Sequence, residues 1–354
     1  MKGLEPKPFR ILSLDGGGIR GAFIAGFLAD LEHRLNCRMA DHFDLIAGTS
    51  TGAIIAVALA LREPAEKIER FYRDRGPKIF ERRKPLPLTR WQRFKKHFVE
   101  KYVKDHGLDY DQLQQSKYEA KELRAALDEV FADRKIEDAK TRLVIPAVDL
   151  TRGQTIVFKT PHMPDLFRDR HYRVVDVLMV TTAAPTYFPH AVIKEGSAYV
   201  DGGLWANNPS MVAIAEVLRI REKANRDDVD QPIAQESIHL LSVGTGKASY
   251  FAKPPARGAG AMWWAPHLFN ICSVAQSQGI NFQGQYILGD RLRRIDYDLP
   301  DGRWSLDSVD MLAEMTKIGH ERSSENLAVL RPIFFDQKAQ HPYQPFPDVA
   351  QAAK

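Results

Sequence analysis

The feature that most limits the fold is a pair of strand–turn–helix units at the start of the chain. An apolar run at Phe9–Leu14 ends in Asp-Gly-Gly-Gly, and residues 19–35 then place apolar side chains at helical spacing. A second run, Phe43–Ala47, enters Gly-Thr-Ser-Thr-Gly and an apolar helix that reaches Leu61. Strands that each feed a helix pair in parallel, because the helix returns the chain to the same edge of the sheet. The sequence therefore predicts an α/β protein: a three-layer α/β/α fold with a mostly parallel central sheet.

Residues 76–118 interrupt this alternation with prolines and basic residues. From Arg73 to Lys104 the chain carries twelve Lys or Arg against three Asp or Glu, although its net charge is only +5. We interpret the segment as an inserted basic helical cap that meets an anionic surface, such as phospholipid headgroups or a nucleotide. A solvated helix face is the alternative, and no nucleic acid polymer is expected as a partner. The candidate contacts are Arg82, Arg83, Lys95 and Lys96.

The remaining pattern predicts one catalytic domain over residues 1–335. Its core spans about 9–250, and a helical carboxy-terminal part covers about 261–335. The stretch 342–354 is expected to be a disordered tail. The amino terminus lacks the apolar core of a signal peptide, and the longest apolar run is too short to cross a bilayer. These features predict a cytoplasmic protein that contacts a membrane at its surface and does not cross it.

The segment GTSTG at residues 48–52 fits the nucleophile elbow G-x-S-x-G. A serine on a sharp strand-to-helix turn needs small neighbours, because flanking Cβ atoms would collide there. The helix that follows directs its amino end at Ser50, where developing negative charge is favoured. The alternative is an ordinary serine at a helix N-cap. The position between an apolar strand and an apolar helix favours Ser50 as a nucleophile.

The segment DGGGIRG at residues 15–21 is the second motif. It also fits the dinucleotide fingerprint G-x-G-x-x-G, but that interpretation needs an acidic residue at the end of the second strand, where this chain has the Ser50 turn. We therefore expect the amides of Gly17 and Gly18 to form an oxyanion hole facing Ser50. Arg20 could hold a substrate phosphate, or it could be a surface arginine on the first helical turn.

Asp201 begins a third glycine-rich turn, Asp-Gly-Gly, after a short apolar strand. Serine hydrolases normally use a histidine as base, and His190 is the nearest candidate here. A carboxylate can act instead if burial raises its pKa and it lies within hydrogen-bond reach. A β-turn aspartate that supports its own glycines is the alternative. The chain lacks closely spaced metal-binding patterns such as H-x-x-x-H, so we predict that no metal cofactor is needed.

Taken together, these motifs resemble the patatin-like phospholipase family. The resemblance rests on DGGGIRG at 15–21, GTSTG at 48–52 and DGG at 201–203, and it covers about residues 9–250. It implies a Ser50–Asp201 dyad without histidine, an oxyanion hole at Gly17 and Gly18, and hydrolysis of acyl esters in phospholipids or galactolipids. Arg20 matches a basic position of the family.

The basic insertion, the carboxy-terminal extension and the phrase YVDGGLWANNP also look like bacterial patatin-like effectors of anti-phage (CBASS) defence. That resemblance implies activation by a cyclic dinucleotide such as cGAMP and attack on membrane phospholipids from the inner face of the cell membrane. A homodimer is a further candidate assembly. Two alternatives stay open: a constitutive lipid acyl hydrolase without a second messenger, and a nucleotide-binding module without hydrolysis.

Overall fold

The computed structural model describes residues 7–84, 115–226, 233–248, 258, 260–299 and 305–347. Most of the basic insertion, with Lys95 and Lys96, lies outside these residues. The predictions that this insertion is helical and that it contacts an anionic surface therefore concern residues that the structure does not describe.

The central sheet has the strand order β4-β3-β2-β1-β6-β8, with the short β5 beside β3. Strands β1, β2, β3, β6 and β8 run parallel, whereas β4 and β5 are antiparallel to β3. The two remaining short strands, β7 and β9, pair with each other. The prediction of a mostly parallel α/β sheet is confirmed. The strands are β1 (Phe9–Leu14), β2 (Leu45–Gly48), β3 (Arg142–Asp149), β4 (Gln154–Lys159), β5 (Tyr199–Asp201), β6 (Ile238–Val243), β7 (Lys247–Ala248), β8 (Leu292–Ile295) and β9 (Asp298–Leu299).

Helices cover both faces of this sheet. They are α1 (Gly21–Leu35), α2 (Thr51–Ala60), α3 (Ala65–Ile79), α4 (Ala120–Phe131), α5 (Val174–Thr181), α6 (Gly203–Ala206), α7 (Ser210–Arg226), α8 (Ala261–Leu288) and α9 (Leu312–Leu330). Helix α3 continues through Pro77, although the prolines led us to expect the insertion to begin at residue 76. The last turn persists because Gly76 and Ile79 are buried against the core, and this packing outweighs the backbone donor that proline lacks.

Alternating residues of the buried strands supply two separate cores. Leu12, Leu14 and Ile46 face α1, α2, α3, α4, α5 and α9, whereas Phe9, Ile11 and Leu45 face the other side, with α7 and the end of α8. This alternation is the period of two that a strand imposes on its side chains. The molecule therefore has the three layers that the sequence predicted.

The described carboxy-terminal residues, up to 347, contact the body of the protein, and the predicted disorder of the tail stays a prediction. Arg170 Nη1 donates to Phe346 O at 3.2 Å, and Phe346 N donates to Pro161 O at 2.8 Å. Buried arginines need carbonyl partners, and this segment supplies them, which holds it against the start of the sheet. Within the described ranges, no helix is both long and apolar enough to span a bilayer.

Candidate active site

Ser50 lies on the turn between β2 and α2 in a strained backbone conformation, with φ 54° and ψ −122°. The turn is tight because α2 begins directly beneath the end of β1: a Cβ added at Gly52 would lie 2.3 Å from Leu14 O. The Ser50 hydroxyl makes no cap bond to its own helix. It is therefore available for another partner, which argues against a simple N-cap role.

The backbone of this turn is held by a second hydroxyl. Ser50 N–H donates to Thr181 Oγ1 at 3.1 Å, and Thr181 Oγ1 in turn donates to Pro146 O at 2.7 Å. Thr181 is the last residue of α5 and is fully buried. The relay ties the strained serine to β3, so that its position is set by the sheet.

Asp201 reaches the same level through an antiparallel strand. The register pairs Ala47 with Val144 and Ala147 with Asp201, so Asp201 stands beside the residue three positions beyond Val144, just as Ser50 stands three beyond Ala47. The sequence places Asp201 after a short apolar strand, which in a mostly parallel sheet would end at the same edge as β2. Strand β5 instead runs back along β3 and delivers the carboxylate to the Ser50 turn.

The Asp201 carboxylate is buried, with 1% exposure. The Ser50 hydroxyl lies beside this carboxylate, and Gly203 N–H donates to it at 2.7 Å. Burial raises the pKa of Asp201 to about 7, although both of these neighbours favour the ionised form and oppose the shift. A carboxylate with this pKa can both take and return a proton near neutral pH.

The loop of Gly17 and Gly18 lines the same pocket as Ser50. The backbone amides on either side of these two glycines already have acceptors: Gly16 N donates to Asn207 O and Ile19 N donates to Leu306 O, both at 2.9 Å. For the amides of Gly17 and Gly18, no acceptor is present within the described part of the chain. Gly18 has φ +59°, and an added Cβ would lie 2.2 Å from Leu306 O, so the loop requires glycine there.

A buried ion network beneath the loop escaped the sequence analysis. Arg294, on β8, donates to both carboxylate oxygens of Asp15, at 2.9 and 2.7 Å, and to Asp296 at 2.7 Å. Burial lowers the pKa of Arg294, but the charges of Asp15 and Asp296 outweigh this and raise it, so the guanidinium stays charged. Asp296 then accepts Gly246 N–H at 2.9 Å, and Thr245 Oγ1 donates to Gly16 O at 2.8 Å. The only signal in the sequence was the run RRIDYD, which by itself has no distinctive spacing.

Ser50 and Asp201 open onto a mostly apolar pocket. The space between its lining atoms, counted out to the mouth, is about 790 Å³. Its apolar walls come from α2, α3 and α4 and from the loop after α5, including Ile54, Phe71, Ile79, Phe80, Leu123 and Phe188. Such a pocket suits a hydrocarbon chain bound next to the serine.

Arg20 also lines this pocket and is half-buried. Its Nε donates to Gly17 O at 3.3 Å, and no carboxylate pairs with it among the residues described. Burial lowers the pKa of Arg20 from its ordinary value. A desolvated cation without an anionic partner is suited to an anionic group of a ligand.

The other candidates lie elsewhere. His190 is exposed and is absent from the described lining of the pocket. Arg82 is exposed and Arg83 half-buried; both lie beside the strand-like segment at Lys117 and Tyr118, outside the pocket. Among the residues that the structure covers, no group of three or more His, Cys, Asp or Glu could hold a metal ion.

The region that contains these site residues is similar to known proteins. A family model described as patatin-like phospholipase matches residues 12–214. The chain is 37% identical over 285 residues to a Vibrio cholerae protein named cGAMP-activated phospholipase, covering 77% of this chain and 75% of that protein. A Pseudomonas aeruginosa protein of the same name is 32% identical, with 81% and 78% covered. The crystal structure of VipD from Legionella pneumophila is similar with a TM-score of 0.38 and 14% identity, over 89% of this chain and 67% of that one.

Proposed function

The chain belongs to the patatin-like phospholipase family, and from that membership we propose that it is a serine lipid acyl hydrolase acting on membrane phospholipids. The observation that carries the proposal is the buried Asp201 carboxylate beside the Ser50 hydroxyl, at a pocket with mostly apolar walls. A hydroxyl and a base in contact beside such a pocket suit acyl transfer from a lipid ester.

In the first step, the Ser50 oxygen attacks the ester carbonyl while Asp201 takes the hydroxyl proton. The carbonyl oxygen becomes an oxyanion, which the free amides of Gly17 and Gly18 and the amino end of α2 stabilise. Removal of one such donor typically costs about 3 kcal/mol of transition-state stabilisation. The intermediate then expels the lysolipid alkoxide, which receives the proton from Asp201.

In the second step, water attacks the acyl group on Ser50, and Asp201 again takes the proton. The serine leaves with that proton as the fatty acid is released. A pKa of about 7 suits this alternation, because the same carboxyl group must accept and return a proton in each half of the cycle. No step requires a metal ion, and we propose activity in the presence of chelators.

The two ends of a phospholipid match the two parts of the pocket. The apolar wall around Phe71 and Ile79 suits the acyl chain, and the half-buried Arg20 suits the phosphate. The chemistry thus favours a phospholipid over an uncharged ester of the same chain length.

We also propose control by a cyclic dinucleotide such as cGAMP, in anti-phage defence at the inner face of the cell membrane. Support comes from the names of the relatives from Vibrio cholerae and Pseudomonas aeruginosa and from the basic insertion with Arg82, Arg83, Lys95 and Lys96. Its cations suit either a dinucleotide or anionic headgroups. The second candidate function is a constitutive hydrolase of the same lipids.

A fluorogenic phospholipid assay tests both parts. Wild-type protein, Ser50→Ala and the control Ser305→Ala are compared with and without cGAMP and EDTA. We expect hydrolysis by the wild type and the control, none by Ser50→Ala, stimulation by cGAMP and no effect of EDTA. Hydrolysis that persists in Ser50→Ala would exclude this nucleophile, and equal rates with and without cGAMP would favour the constitutive enzyme.

A further inference from the structure

Helix α8 has a composition unlike that of the other long surface helices. It spans 28 residues, Ala261–Leu288, and contains no Asp, Glu, Lys or Arg. By contrast, α3 and α9 carry charges along their outer faces. A helix on the outside of a monomer normally shows a charged or polar face to water, so this composition predicts that the outer face of α8 is covered.

Six exposed apolar or small side chains of α8 form one stripe, which the exposed Gln278, Gln283 and Gln285 flank. Ser273, Gly284 and Leu288 point inward and are buried. On the opposite side, all within about 80° of one another around the helix, are the exposed Trp264, Leu268, Cys272, Ala275, Phe282 and Tyr286. Phe282 is 65% and Tyr286 90% exposed. We call this set the α8 stripe.

The α8 stripe runs across the side of the molecule, not along the edge that holds the site. The first half of α8 reaches the pocket through Phe269 and Asn270. Its last residue, Leu288, lies just before β8, which starts at the opposite edge because it runs parallel to β6. From Trp264 to Tyr286 the stripe is roughly 33 Å long at 1.5 Å per residue. A membrane in contact with the pocket mouth would cover only the Trp264 end.

The stripe is also symmetric in side-chain size about Ala275. Leu268 and Phe282 each lie seven residues from Ala275, and Trp264 and Tyr286 each lie eleven residues away. Two helices that cross approach most closely at the crossing point and diverge from it. Small side chains at the centre and large ones toward both ends match this geometry when the same helix packs on itself in the opposite direction.

We propose that the α8 stripe is the interface of a two-fold symmetric homodimer, in which α8 of a second copy crosses antiparallel at Ala275. The pairing is isologous: Trp264 of each copy lies near Tyr286 of the other, and Leu268 near Phe282. Since neither helix carries charge, no ion is desolvated on association. The two pockets then lie on opposite sides of the shared helix pair.

The first experiment measures the mass of the full-length protein in solution by sedimentation over a hundredfold range of concentration. We expect a dimer for the wild type and a monomer for Phe282→Glu, which places a carboxylate in the interface. Val329→Glu is the matched control, because Val329 is an equally apolar side chain, 51% exposed on α9. The circular dichroism spectra of both variants should match that of the wild type, which shows that the fold is kept. A monomeric wild type, or a dimer that persists in Phe282→Glu, would overturn the proposal.

The second experiment tests the register. In a Cys272→Ser background, Ala275→Cys should form a disulfide between copies under mild oxidation, because the two positions meet at the crossing point. Val329→Cys in the same background should remain uncrosslinked. Equal crosslinking of both variants would contradict the proposed register. If Phe282→Glu alters binding to phospholipid vesicles while the wild type remains monomeric, the stripe contacts lipid and the dimer is excluded.

Discussion

At the edge of the sheet where the parallel strands begin, Arg10 donates to Ile333 O and Gln337 O, and Asp44 accepts the amides of Arg10 and His341. At the edge where those strands end, Arg20 has no carboxylate partner in the described chain and donates only to Gly17 O, and Asp201 lies beside the Ser50 hydroxyl. Each edge therefore holds an arginine and a buried aspartate, but Arg10 has several carbonyl partners whereas Arg20 has one among the described residues.

This difference separates stability from chemistry. A buried charge with full hydrogen bonding holds segments together, and it has no capacity left for a ligand. A buried group with unused hydrogen-bonding capacity costs stability, but it can bind or react when a substrate arrives. Arg294 is the exception at the site edge, since it is fully engaged by Asp15 and Asp296 and supports the reactive loop above it.

The largest effect should come from Asp201→Asn. The amide keeps the shape of the carboxylate but cannot take the Ser50 proton, so turnover should fall about 10⁴-fold. Steady-state hydrolysis of a phospholipid and of a p-nitrophenyl ester measures the loss, and circular dichroism checks that the fold is kept. An active Asp201→Asn would remove Asp201 as base and return attention to His190.

The same variant should also show how much the burial of the Asp201 carboxylate costs in stability. Because the pKa of Asp201 is raised in the folded state, the native protein keeps a proton that the unfolded chain loses between pH about 4 and 7. The associated stability is complete below about pH 4 and is lost as the pH rises through 7. Relative to the wild type, Asp201→Asn should therefore gain roughly 4 kcal/mol of unfolding free energy between pH 4 and pH 8. Urea titrations at both pH values measure this, and a constant difference would contradict it.

Arg294→Met tests the ion network that Arg294 forms with Asp15 and Asp296 beneath the glycine loop. It leaves Asp15 and Asp296 buried without their cation, so the unfolding free energy should fall by about 3 kcal/mol, and hydrolysis should fall as the glycine loop loosens. Arg293→Met is the control on the same strand, since Arg293 forms no ion pair among the described residues. Similar losses in both variants would argue against a specific role for the network.

Arg20→Gln should have a smaller and selective effect. If Arg20 holds the phosphate, kcat/KM should fall about 10- to 100-fold for a phospholipid, and less for an uncharged ester with the same acyl chain. The exposed Arg152→Gln is the control. Equal losses on the two substrates would indicate that Arg20 only supports Gly17.

The smallest effect should arise at the opposite edge. Asp44→Asn can still accept one of the two amides but faces the other with an NH2 group, so the unfolding free energy should fall by about 1 kcal/mol while kcat/KM stays unchanged. Asp165→Asn, at an exposed ion pair, is the control for stability. A loss of activity in Asp44→Asn would show that the two edges are coupled.

Much of the site could be anticipated from local sequence. The elbow around Ser50 and the loop around Gly18 each depend on glycines close to the functional residue, and such short-range steric needs are visible in a motif. The roles of Thr181 and Arg294 were not visible, because each acts through contacts with residues distant in the chain.

The sequence by itself determined the repeated strand–turn–helix pattern, the glycine turns and the family, because these depend on periodicity and on steric demands within a few residues. Only the tertiary structure decided that β5 runs antiparallel and brings Asp201 level with Ser50. It alone also decided that burial raises the pKa of Asp201 and that Arg20 has no anionic partner among the described residues. Register, desolvation and the presence of a partner are properties of what surrounds a residue in space. No single stretch of sequence contains them.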